Sequence, residues 1–85
     1  MSSVPEFAAK LVNTSEGDMT TSLTVNPNEP VSQLKVNIKK VLPNIDIANI
    51  TLSFNGKILA DKDIPHLVGM KQGSKISMSI QVRGG

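Results

Sequence analysis

Cysteine, tryptophan and tyrosine are all absent from this 85-residue chain. Without cysteine there are no disulfides, no thiolate metal sites and no cysteine nucleophile. With Phe7 and Phe54 as the whole aromatic content, the core has to be aliphatic, and nothing offers a stacking platform for nucleobases. His66 is the one histidine, and it falls in an irregular loop. A metal or catalytic centre needs several converging groups, which a lone histidine does not supply. Asp61 and Asp63 in "ADKD" read as a solvated turn. There is no glycine-rich phosphate loop and no serine-centred elbow. No apolar run approaches the ~20 residues of a membrane span, and the N-terminus lacks the basic start and apolar stretch of a signal peptide. Nine basic against seven acidic residues leave a net charge of +2, too slight a bias to argue for nucleic acid. The expectation is a soluble, monomeric protein of the cytoplasm or nucleus, with no enzymatic activity, no cofactor and no metal.

Hydrophobic content is 39%, enough for one compact core in a chain of this length. Residues 1–6 read as a flexible lead-in. "FAAKLVN" and "MTTSLTV" alternate around the polar, glycine-containing turn "NTSEGD", which predicts a β-hairpin. Phe7, Ala9 and Leu11 share one face of the first run; Met19, Thr21, Leu23 and Val25 share one face of the second. The prolines of "NPNEP" stop the second strand and suit a helix start. In "VSQLKVNIKKVL" the residues Val31, Leu34, Ile38 and Val41 form a helical stripe, and Pro43 with Asn44 ends it. Ile50, Leu52 and Phe54 then alternate with Thr51 and Ser53, and Asn55-Gly56 is a strong hairpin signal into a short return strand from Lys57. An irregular loop follows, with Ile64, Leu67 and Met70 as candidate plugs. The last strand, "KISMSIQV", points Ile76, Met78 and Ile80 inward and Ser77, Ser79 and Gln81 outward. Hairpin, helix, strand, short strand, loop and strand make an α+β architecture, one helix packed across a mixed sheet of four to five strands. The expected core is Val31, Leu34, Ile38, Ile50, Leu52, Phe54, Leu59, Met70, Ile76, Met78 and Ile80.

That order of elements, with "LTVNPNEPVSQLKVNIK", "LSFNGKIL" and the terminal "VRGG", resembles the ubiquitin-like family of β-grasp modifiers. The resemblance covers roughly residues 7–85, giving a β-grasp domain over 7–81 and a flexible diglycine tail over 82–85. In conjugated members an activating enzyme adenylates the last glycine and passes it to its own cysteine, and a lysine amine finally attacks. The resemblance therefore implies that Gly85 supplies the electrophilic carbonyl and Gly84 the clearance a narrow channel needs. Arg83 and Gln81 are then contacts read by the activating enzyme. The implied partners are activating and conjugating enzymes, a processing protease and target lysines. Lys57 matches a chain-linking lysine of the family, although a solvated hairpin lysine is the plainer reading.

Two alternatives stay open. "RGG" also ends the ubiquitin-like domain of a splicing factor 3A subunit, where the domain binds protein or RNA as part of a larger chain. Sulfur carriers end in Gly-Gly as well. The departures from ubiquitin are specific. Ubiquitin's receptors grip an apolar patch made by a leucine in the first turn, an isoleucine before the Phe and a valine near the end. Here those places carry Glu16 or a neighbour, Ser53 and Ser79. The expected partner-binding face, Thr51, Ser53, Ser77 and Ser79, favours hydrogen-bonded or water-mediated contact over apolar burial.

Overall fold

The computed structural model describes residues 5–81. The opening hairpin forms as its alternation predicts: β1 (Phe7–Asn13) pairs antiparallel with β2 (Met19–Val25) in continuous register from Phe7 opposite Val25 to Asn13 opposite Met19. Between them Thr14–Glu16 make a 3-10 turn, capped by the Asn13 side chain accepting from the Ser15 N–H at 3.1 Å. Gly17 and Asp18 then take left-handed backbone, at φ 63° and 60°, to reverse the chain.

Helix α1 (Val31–Val41) starts after Pro30, which supplies no side-chain cap. Its first amides are satisfied from elsewhere in the chain. Val31 N–H donates to the Asp63 carbonyl at 2.8 Å and Ser32 N–H to the Asp61 carbonyl at 3.0 Å. Lys35 clamps the same loop through a 2.7 Å ion pair with Asp61. Past the helix, β3 (Ile50–Phe54) and β4 (Lys57–Ile58) close a hairpin. Asn55 and Gly56 sit at φ 53° and 79°, the paired positive values that a tight two-residue turn demands. The last strand, β5 (Lys75–Ile80), lies in the middle of the sheet. The order across the sheet is β2-β1-β5-β3-β4, with β1 and β5 parallel and the other neighbours antiparallel. One helix on a mixed five-stranded sheet is the β-grasp arrangement expected from the sequence.

The helix stripe of Val31, Leu34 and Ile38 packs with the inward side chains of the strands, and ten of the eleven expected core residues are buried. Ile80, the eleventh, is only partly buried, because it closes the last strand at the edge of the core. Ala9, Leu11, Leu23 and Val25, which the alternation of the first hairpin places on one face, are buried too. Met19 and Val41 depart from expectation: they are 61% and 45% exposed. Each ends its element, Met19 beside the reversing turn and Val41 on the helix's last residue, where no partner layer lies over it. In the long loop Met70 is buried, but Leu67 is 72% exposed and Ile64 half-buried. Pro65 takes the covered place instead, because the segment turns into a 3-10 helix over Pro65–Val68 that rotates Leu67 outward.

Ile38 has no measurable exposure between helix and sheet. An aspartate there would be a buried charge with no partner, costing on the order of 4 kcal/mol or more out of the ~5–15 kcal/mol typical of a domain. Ile38→Asp and Leu34→Asp should therefore lose the cooperative thermal transition seen by circular dichroism. A native-like melt from either would contradict this packing.

Candidate functional site

On the face of the sheet turned away from the helix, the antiparallel register sets Thr51 opposite Ser79 and Ser53 opposite Ser77. All four expected face residues therefore come together, each half-buried by its neighbours. They line a shallow hollow of about 280 Å³ with Thr14 and Ile58. Short hydroxyls fill this strip because β3 and β5 alternate, spending their large side chains on the core side.

Two of its residues amend the expectation of a purely polar face with Glu16 or a neighbour in the first-turn place. Ile58 is 69% exposed and stands directly opposite Ser53 in the β3–β4 register, so one large aliphatic does project from this face. The turn residue that reaches the face is Thr14; Glu16 lines a separate hollow with Leu42 and Pro43. The signal for Ile58 was legible: Leu59 must be buried, so its neighbour faces out.

A second hollow, of about 710 Å³, adjoins the first through the shared Thr14 and Ser77. Lys10 and Lys75 line it, opposed in the β1–β5 register, with Asp18 on its rim. The outer face is thus a hydroxyl carpet with an isoleucine at one side and a lysine pair at the other. Such a surface suits polar, partly wet contact with one apolar anchor.

The remaining expected site residues are scattered. Lys57 is exposed at the end of the β3–β4 hairpin, opposite Phe54. Gln81 is exposed, and its backbone N–H donates to the Asn49 carbonyl at 2.7 Å, continuing the β5–β3 contact past the strand end. Arg83, Gly84 and Gly85, and with them the expected tail, lie outside the described residues, as does most of the expected lead-in. His66 is exposed, and no group of metal-binding side chains occurs among the described residues. No helix among them is long and apolar enough to cross a membrane.

Sequence reasoning missed the hydroxyls of the first turn. Thr14 Oγ1 donates to the Met78 carbonyl at 3.0 Å. Ser15 Oγ accepts from the Ile80 N–H at 2.8 Å and lies 3.5 Å from the Ile80 carbonyl. Only the folded register brings residues so distant in sequence together.

The model of the ubiquitin family matches residues 11–83. The chain belongs to the ubiquitin family. Among solved structures, the ubiquitin of Caldiarchaeum subterraneum superposes with a TM-score of 0.80 at 21% identity, covering 95% of this chain and all of that one. The N-terminal ubiquitin-like domain of the 4931431F19Rik protein superposes with a TM-score of 0.81 at 24% identity, covering 94% of this chain and 79% of that one. At these identities the two show the fold. No curated protein sequence matches the chain significantly.

The resemblance to ubiquitin implies that Ser53 and Ser79 stand in place of aliphatic anchors, each worth ~1–3 kcal/mol when buried. Helices that bind ubiquitin should therefore bind this domain far more weakly. Titration by NMR should show small shifts centred on Ile58 and the amides of Thr51–Lys57. Ile58→Ser should remove about 1–2 kcal/mol of whatever affinity remains. Micromolar binding through that face, insensitive to Ile58→Ser, would refute this account of the surface.

Proposed function

We propose that this chain is a ubiquitin-like modifier, activated at Gly85 and joined through it to lysine amines of target proteins. The observation that carries the reading is the position of the Arg-Gly-Gly motif. The last described sheet contact is the Gln81 N–H on Asn49, and Arg83-Gly84-Gly85 follows almost at once. Glycines so few residues after the sheet in sequence would enter a narrow enzyme channel without Cβ atoms in the way.

The chemistry in this reading is acyl transfer in three steps. A Gly85 carboxylate oxygen attacks the α-phosphorus of ATP and pyrophosphate leaves. A cysteine thiolate of the activating enzyme attacks the resulting acyl adenylate at the Gly85 carbonyl, expelling AMP and forming a thioester. A target lysine amine then attacks the thioester, the thiolate leaves, and an isopeptide bond remains. The chain is substrate and signal throughout, and it supplies no catalytic group. Its partners are the activating and conjugating enzymes, a protease that exposes Gly85 where further residues follow it, and target lysines. Cytoplasm and nucleus are where such partners act. Thr51, Ser53, Ser77 and Ser79 with Ile58 form the face that readers contact, and Lys57 is exposed to take a further copy.

The other reading is a non-conjugated ubiquitin-like domain that binds protein or RNA within a larger protein. The likeness to an N-terminal ubiquitin-like domain, that of the 4931431F19Rik protein, keeps it in view. Expression of a tagged chain in its own cells decides between them. Ladders that survive boiling in detergent, and vanish when Gly84 and Gly85 are deleted, are the expected result. Identical patterns from both forms would favour the binding domain.

Gln81 stands where ubiquitin has an arginine that helps activating enzymes tell modifiers apart. A neutral amide cannot make the two-pronged pairing with a carboxylate that a guanidinium makes. A pocket built for arginine is left partly unpaired, at a cost on the order of 1–3 kcal/mol, or roughly tenfold to a hundredfold. Ubiquitin's own activating enzyme should charge this chain poorly, and Gln81→Arg should raise ATP-dependent thioester formation by about that factor. Equal charging of both forms would remove Gln81 from this role.

A further inference from the structure

The parallel pairing of β1 with β5 stops at Asn13 opposite Met78, because the chain then turns into the 3-10 segment Thr14–Glu16. Beyond that pair, the Ile80 N–H and carbonyl have no β1 residue opposite them. A polar backbone group without a partner has to be satisfied by side chains or water. Here two hydroxyls extend the ladder where the backbone has left it. Thr14 Oγ1 reaches the Met78 carbonyl at 3.0 Å. Ser15 Oγ meets Ile80 twice, accepting from its N–H at 2.8 Å and lying 3.5 Å from its carbonyl. The opposite side of the same strand end is held by Ile50, opposite Ile80, and by the Gln81 N–H on the Asn49 carbonyl at 2.7 Å.

We propose that Ser15 is a latch on the root of the C-terminal segment: its hydroxyl holds Ile80 in the sheet and so limits how much chain ahead of Arg83 is offered to an enzyme as an extended strand. Ser15 is a positioning residue in this role, and its part in conjugation rests on the modifier reading above. An enzyme that reads an extended segment does so largely through main-chain hydrogen bonds, which Ile80 and Gln81 cannot give while they are spent on Ser15 and Asn49. Apparent affinity then falls by the fraction of molecules in which the strand end is open. The bond at Ser15 is one neutral hydrogen bond on an exposed side chain, weak enough to open often and strong enough to bias the equilibrium. Because the latch belongs to the β1–β2 turn, whatever grips that turn also acts on the strand end.

The test compares the full chain with Ser15→Ala and Ser15→Thr, the second retaining the hydroxyl. Amide hydrogen exchange should speed up about two- to twelvefold at Ile80 in Ser15→Ala, with Leu52 and Ile76 in the core unchanged. Trypsin supplies the functional readout, since cutting after Arg83 requires the residues ahead of it to lie extended in the protease. Its initial rate at Arg83 should rise by a similar factor, because cleavage follows the population of the open form, while the rate at Lys57 stays constant. Ser15→Thr should return both values toward the parent. Unchanged exchange at Ile80 in Ser15→Ala would overturn the latch. Faster exchange with an unchanged rate at Arg83 would overturn its control of the tail. The third readout is thioester formation with ATP and an activating enzyme that charges the parent chain. There KM should fall severalfold at constant kcat in Ser15→Ala, and an unchanged KM would overturn the role in conjugation. If no activating enzyme charges the parent, the modifier reading fails, while exchange and trypsin still decide the latch.

Discussion

Residues 10–13 pair in parallel with residues 75–78, and everything else in the molecule is arranged around that contact. A parallel pair needs a long crossover, and the chain between β1 and β5 fills it with β2, the helix, the β3–β4 hairpin and the long loop. The pairing puts the last strand in the centre of the sheet, with β1 on one side and β3 on the other. Leu11, Ile76 and Met78 are consequently sealed under the helix. Such non-local pairing brings together segments that gain nothing until most of the chain is in place, so β5 is held by the whole fold rather than by its own neighbourhood.

The helix depends on the same closure. Its apolar stripe is adequate but its start is not, since Pro30 offers no capping side chain and Val31 and Ser32 would face solvent with bare amides. The loop after β4 supplies the missing carbonyls from Asp61 and Asp63, and Lys35 fastens it through Asp61. Asp63 in turn is held by its own turn, its carboxylate accepting from the Ala60 N–H at 2.8 Å. Pro65 and Met70 then tuck the loop under the core edge. The exposed Lys35–Asp61 pair adds little by itself, roughly 0–1 kcal/mol; the backbone bonds beside it satisfy amides that otherwise have no partner within the protein.

With the core on one face of the sheet, the other face is turned to solvent. Its chemistry follows from how small the side chains are: hydroxyls on β3 and β5 leave a shallow hollow rather than a raised apolar patch, and Ile58 is the large aliphatic at its edge. The same central placement of β5 brings the strand end at Ile80 next to the β1–β2 turn. The hydroxyl face, the first turn and the end of β5 are therefore neighbours, linked by the Thr14 and Ser15 hydroxyls.

Much of this was open to reading from residue order. Alternation marked the strands, the spacing of Val31, Leu34 and Ile38 marked the helix, Asn55-Gly56 marked the tight turn, and the phase of β3 and β5 already placed Thr51, Ser53, Ser77 and Ser79 on a common face. These are local signals, carried by periods of two or 3.6 residues and by backbone preferences of single residues. Their limits were at element ends, where Met19 and Val41 keep the phase of a buried stripe but have no layer above them. What the tertiary structure alone decided is which distant polar groups meet. That Asp61 and Asp63 cap the helix, that Pro65 rather than Leu67 is covered, and that Ser15 holds Ile80 all depend on chain segments brought together by the β1–β5 register. Such contacts leave no periodic trace, because a single hydroxyl or carbonyl has no sequence pattern and its partner is set by where the fold ends each strand.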